Sequence, residues 1–146
     1  MTSVARDLDG FSALVTGAGS PGGIGVAIAR HLLERGARVT VTATSERIFS
    51  RVDELGVGAR GAVADLTDPL VARRLVDDTI SEQGGLDILV ANAGMYSVSD
   101  PRVAAGTFDT ISPEQFRLGI SRNLETAAFV ISPALSALRS SPHAAI

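Results

Sequence analysis

Residues 16–25 read TGAGSPGGIG, five glycines in ten positions. They follow a short apolar run, residues 11–16 (FSALVT), and lead into residues 24–35, where Ile24, Ile28 and Leu32 recur at helical spacing. The run reads as a buried strand, and the stretch after it as a helix that Gly36 closes. Gly17, Gly19 and Gly22 satisfy G-x-G-x-x-G literally. Glycines at such a junction allow a tight turn and let a diphosphate approach the main chain. The start of the helix adds unpaired N–H groups and a partial positive charge. The plainer alternative is a turn that needs glycines only for its dihedral angles.

Outward from this segment, the chain keeps alternating short apolar runs with amphipathic stretches. Residues 37–43 (ARVTVTA) are rich in β-branched side chains and read as a second strand. A helix is expected over residues 46–55, closed by Gly56, and a weaker strand over residues 59–64. Asp68 reads as an N-cap with Pro69 in the first helical position. That helix runs to about Gln83, with Val71, Leu75 and Thr79 or Ile80 on one face, and Gly84 and Gly85 stop it. Residues 86–91 (LDILVA) are a fourth strand, and residues 95–111 a long irregular loop. Ser112, Pro113 and Gln115 open a final helix to about Leu138, bent late by Pro133. Residues 144–146 look like the start of a fifth strand that is then cut off. Strands that are apolar throughout, each followed by a helix, indicate an α/β doubly wound parallel sheet covered on both faces.

Composition narrows the function. The chain has 146 residues, with 45% hydrophobic and 20% charged, and this fits one globular domain. No apolar run approaches the roughly 18 residues that span a bilayer, so no membrane partner is expected. The first ten residues, MTSVARDLDG, lack the apolar segment of a secretory signal. Cysteine is absent, which excludes disulfides, thiolate zinc sites and Cys nucleophiles, and no metal site is expected. A net charge of -3 gives no reason to expect nucleic acid. The expectation is a soluble, cytoplasmic domain.

TGAGSPGGIG resembles the TGxxxGxG motif of short-chain dehydrogenases/reductases, with Gly17 at the first glycine and Gly23 and Gly25 at the last two. Five residues separate Gly17 from Gly23 where the family usually has three, so the turn is longer by two residues around Ser20 and Pro21. Asp65 and Leu66, in ADLTD, resemble the family's aspartate and following apolar residue, which contact the adenine ring. Taken alone, Asp65 is a turn or cap residue. Asn92, Ala93 and Gly94, in VANAG, resemble the NNAG motif, with Ala91 in place of its first Asn. Taken alone, this is an Asn-x-Gly turn. The resemblance runs from about Phe11 to Ile146 and implies a Rossmann fold with the dinucleotide at the carboxyl ends of the strands. Gly19, Ser20, Gly22 and Ile24 join the expected cofactor-binding residues through the turn itself.

Cofactor choice is set at the end of the second strand, where an Asp or Glu would take the ribose 2′-OH of NAD. Here the run is Thr44, Ser45, Glu46, Arg47. Hydroxyl groups and a nearby cation favour a 2′-phosphate, hence NADP over NAD. The run TATSE also resembles bacterial 3-oxoacyl-carrier-protein reductases, which use NADPH. Glu46 keeps NAD open, and Arg47 taken alone is a solvated helix residue.

Hydride transfer to a carbonyl needs an acid near its oxygen. The family uses Ser, Tyr and Lys, with an Asn from the long helix. Asn123, in RNLETAAF, matches that Asn, although a solvent-facing Asn is the plainer reading. Tyr-x-x-x-Lys is absent: the only tyrosine is Tyr96, and all 13 basic residues are arginines. The resemblance places the missing Ser, Tyr and Lys beyond Ile146. The expectation is therefore the dinucleotide-binding part, residues 1–146, of an incomplete reductase domain acting on a small ketone, alcohol or 3-oxoacyl substrate. Such proteins are commonly homo-oligomers built through the long helix. The exposed apolar edge of a cut sheet predicts self-association of the isolated chain. A natural short form, a non-catalytic dinucleotide-binding or sensor module, and a sugar-nucleotide epimerase relative are the rivals. The NAG motif and the ATSE run argue against the last.

Overall fold

The computed structural model describes residues 6–94 and 107–146. Tyr96 and most of the expected long loop lie outside the described residues. Strands β1 (Ser12–Val15), β2 (Arg38–Ala43), β3 (Ala59–Val63) and β4 (Ile88–Val90) form one parallel sheet in the order β3-β2-β1-β4. Helices α1 (Ile24–Glu34), α2 (Arg47–Leu55) and α3 (Pro69–Gln83) cross between the strands. After β4 come α4 (Pro113–Ile120) and α5 (Thr126–Ser140), joined by one π turn at Ser121–Glu125.

The central strands β1 and β2 are buried on both faces, as their apolar residues require, while the edge strand β3 is only partly covered. Ala13, Val15, Val39 and Val41 pack with Val26 and Ala29 of α1 and Ile48 of α2. On the other face, Leu14 and Leu89 pack with Ala72, Leu75 and Val76 of α3 and with Val130, Ala134 and Leu138 of α5. Each of these sheet residues is 0% exposed, so deleting any one leaves a cavity rather than a solvated gap. Registers are fixed by Leu14 opposite Thr40 and Leu89, and by Val41 opposite Gly61.

Local chemistry sets the boundaries. Asp68 accepts from the amides of Leu70 (2.8 Å) and Val71 (3.3 Å) at the start of α3, and Gly84 closes it in the left-handed region. Ser112 and Gln115 form the expected capping box. One expectation needs correction. The final helix is not one continuous α-helix from Ser112 to Leu138. α5 runs through Pro133, and the winding changes earlier, at Ser121–Glu125. No residue motif marks a π turn, which occurs as a single turn inside an α-helix.

The fifth-strand expectation holds at one position. Ala145 bridges Ile88 in parallel: the amide of Leu89 donates to the Ala145 carbonyl (3.0 Å), and the Ala145 amide to that of Asp87 (2.9 Å). Asp87 secures this corner. Its carboxylate accepts from the Ser12 amide (2.8 Å), the Ser12 hydroxyl (3.1 Å) and the Ser141 hydroxyl (2.6 Å). Partial burial pushes its pKa up, but the bonds from Ser141 and Ser12, with His143 nearby, outweigh that and hold it below the usual carboxylate range. A depressed folded-state pKa means that the stabilisation is present above the unfolded value of about 4 and is lost as pH falls through the folded one. Asp87→Asn should therefore lower stability by about 1–2 kcal/mol at neutral pH. In urea unfolding across the acid range, the gap to wild type should narrow as pH falls. A gap that stays constant with pH would overturn this account.

Candidate functional site

The carboxyl ends of β1, β2 and β4 meet at the glycine turn. Thr16 begins it. Its amide donates to the Val90 carbonyl (3.0 Å), its hydroxyl donates to the same oxygen (3.2 Å), and that hydroxyl accepts from the Ala93 amide (2.9 Å). The Ala18 amide donates to the Thr42 carbonyl (2.8 Å), tying the turn to β2. The Asn92 side-chain amide donates to the carbonyls of Thr16 (3.0 Å) and Gly17 (3.2 Å).

The glycines are there for close approach. Gly17 has φ +71°, and a Cβ on it would sit 2.8 Å from the Ala93 Cα. A Cβ on Gly25 would sit 2.9 Å from the Asn92 amide nitrogen. Gly17 and Gly25 thus close on one side chain from the fourth strand's end. The two extra residues of the turn are absorbed locally. The Gly23 amide donates to the Ser20 carbonyl (3.1 Å), so Ser20, Pro21 and Gly22 form a small exposed turn. A Cβ on Gly22 would meet nothing within 4 Å, so Gly22 is not sterically required.

The start of α1 is left open. Gly23 is its N-cap, no side chain caps it, and its first turn carries no acidic residue. Its leading amides therefore keep the partial positive charge of a helix start. Ile24 beside them is 69% exposed, which is unusual for an isoleucine that begins a core helix.

Across the turn, Thr44, Ser45, Glu46 and Arg47 are all exposed at the entry to α2. Arg47 lies against Gly19: a Cβ there would be 3.0 Å from the Arg47 Nε. Asp65 is exposed beyond β3, and its carboxylate accepts from the Thr67 amide (3.0 Å) and hydroxyl (2.7 Å). Its plainer, turn-forming reading is thus realised. Leu66 is 5% exposed and belongs to the core.

Asn123 lies in the π turn, exposed, with its side-chain amide donating to the Gly119 carbonyl (2.9 Å). The turn packs on the NAG segment, where a Cβ on Gly94 would sit 2.9 Å from the Asn123 Oδ1. Thr126 fastens it, its hydroxyl donating to the Arg122 carbonyl (2.8 Å) and the Ala93 carbonyl (3.4 Å). Sequence reading missed the roles of Thr16 and Thr126. A Thr directly before the first glycine was a usable signal for the former. A lone helical Thr gave none for the latter.

Asn92 can be tested directly. Asn92→Asp would place a carboxylate against two carbonyl oxygens and should destabilise the fold by about 1–3 kcal/mol. Asn92→Ala should cost less, since water can reach the freed carbonyls. Urea unfolding compares the two, and equal losses would mean that the amide does not clamp the turn.

Comparison with known proteins agrees with this architecture. The short chain dehydrogenase family model matches residues 12–146. Versicolorin reductase 1 of Aspergillus parasiticus is 36% identical over 137 residues, covering 90% of this chain and 49% of that protein. The 3-oxoacyl-acyl-carrier-protein reductase FabG of Salmonella typhimurium is 44% identical over 88 residues, covering 60% of this chain and 35% of that protein. The crystal structure of a candidate short-chain alcohol dehydrogenase from Sinorhizobium meliloti superposes with a TM-score of 0.80 at 30% identity, over 94% of this chain and 53% of that one. The chain thus spans about half the length, or less, of the relatives it matches. The doubly wound sheet, the glycine turn clasped by Asn92 and the family match lead to one conclusion: the chain belongs to the short-chain dehydrogenase family.

Proposed function

We propose that residues 1–146 are the cofactor-binding part of an NADP-dependent carbonyl reductase whose substrate is a small ketone, alcohol or 3-oxoacyl thioester. The observation that carries this reading is the uncapped start of α1, facing the glycine turn at the carboxyl ends of the strands. The reductase names of the similar proteins support the direction of the chemistry.

The residues present fit a dinucleotide. Gly17, Ser20, Gly22, Gly23 and Gly25 shape the cradle for the diphosphate, Gly19 borders the cofactor site on the Arg47 side, and the α1 amides supply donors. Ile24 offers an apolar surface beside them. Thr44, Ser45 and Arg47 suit a 2′-phosphate, since a guanidinium and two hydroxyls are donors and no carboxylate precedes them at the strand end. Glu46 is the residue that would instead serve NAD. Asp65 keeps one carboxylate oxygen on Thr67 and offers the other to an adenine amine, with Leu66 packed beneath. Asn92, Ala93 and Gly94 form the wall under the nicotinamide. When bound, the nicotinamide donates or accepts the hydride. Asn123 stands on the adjoining π turn, where it orients the groups that carry the proton.

The chain holds no Tyr-x-x-x-Lys and no lysine at all, so this reading assigns proton donation to residues outside it. On that basis the chain alone binds cofactor without turnover. From family likeness and composition, we also propose a cytoplasmic homo-oligomer for the whole protein. The same missing pair favours a second reading, a dinucleotide-binding module without chemistry. Reading the gene past Ile146 separates the two: a serine and Tyr-x-x-x-Lys there mean the enzyme, and a stop codon means the module.

Titration with NADPH and NADH, following the fluorescence of the reduced nicotinamide, tests the cofactor reading. NADPH should bind about tenfold more tightly, and Arg47→Gln should remove that advantage. Equal or reversed affinities would overturn the NADP assignment. No binding of either at millimolar concentration would overturn the function.

A further inference from the structure

Gly19 is the one glycine of the turn whose added Cβ would meet the end of β2 and the start of α2. A Cβ built on it would lie 2.8 Å from the Ala43 Cβ, 3.0 Å from the Arg47 Nε and 3.6 Å from the Arg47 Cζ. Gly19 is buried, Ala43 is 8% exposed, and Arg47 is exposed. The guanidinium therefore rests in a notch whose floor is the bare Cα of Gly19 and whose back wall is the last residue of β2.

We propose that Gly19 is a positioning residue for cofactor choice: its missing side chain seats Arg47 over the glycine turn, where the guanidinium meets a 2′-phosphate. This rests on the NADP reading above. The seat matters because an arginine on the first turn of an exposed helix samples many rotamers, and fixing one costs conformational entropy. A side chain already held against the turn loses less when the phosphate arrives. Gly19 does not touch the 2′-phosphate. It acts through Arg47, so its effect should fall on the discrimination between the two cofactors rather than on binding of their shared diphosphate.

Two contacts must be separated. Gly19→Ala alone would also strike Ala43, whose methyl is fixed to β2 and cannot swing away, so the turn would shift and both cofactors would suffer. In Gly19→Ala/Ala43→Gly the methyl has room, and Arg47 alone is displaced. Ala43→Gly by itself serves as the reference, and circular dichroism confirms that each variant keeps its helices. The measured quantity is the ratio of the NADH and NADPH dissociation constants. In the double variant it should fall about tenfold from the reference, towards the value for Arg47→Gln, with NADH affinity within about threefold of the reference.

A ratio unchanged in the double variant would overturn the seat while leaving the NADP reading intact. A wild-type ratio near one would bring down the NADP reading and the seat with it. Should the double variant lose both cofactors, adenosine 2′-monophosphate against adenosine provides the ratio without the diphosphate. A drop there supports the seat, and no drop refutes it.

Discussion

The site depends on one side chain reaching from the fourth strand to the first. The Asn92 amide donates to two successive carbonyls of the glycine turn, and two glycines leave it the space. Without it, the carbonyls of Thr16 and Gly17 would have to turn to water. Thr16 returns the contact through its hydroxyl, bonded to both Val90 and Ala93. The ends of β1 and β4 are thus fastened twice, by side chains running in opposite directions. The sheet ladder alone ties these strands only up to Val15 and Val90. Everything the turn offers a ligand is held in place by this clasp.

Much of this was legible in the sequence. Four apolar strands separated by amphipathic helices could bury themselves only as a covered parallel sheet. The caps at Asp68 and Ser112 announced their helices through side chains that act within four residues of themselves. The glycine turn and the NAG segment were found separately, because each is a local pattern. Their meeting was not, since a hydrogen bond across 76 residues leaves no trace in local spacing. The π turn also escaped notice. Its contacts are tertiary: Gly94 lies close to Asn123, and the Thr126 hydroxyl bonds back to the Ala93 carbonyl.

The two ends of the sheet serve different ends. At the amino end, Asp87 gathers β1, β4 and the segment around Ser141 through three donors to one carboxylate. At the carboxyl end, the helix start of α1 has no such acid and no cap. Polar groups are used up where the chain needs rigidity and left open where a ligand's charge can complete them.

The small turn closed by the Gly23 amide on Ser20 bears on how such chains are recognised. Two residues added there bulge outward and leave Gly17 and Gly25 both facing Asn92. Lengthening a loop by so little costs only a few tenths of a kcal/mol in closure entropy, roughly. A fixed count of residues between glycines is thus a poor ruler for this fold. A search for two glycines converging on one amide would retain chains that a rigid pattern discards.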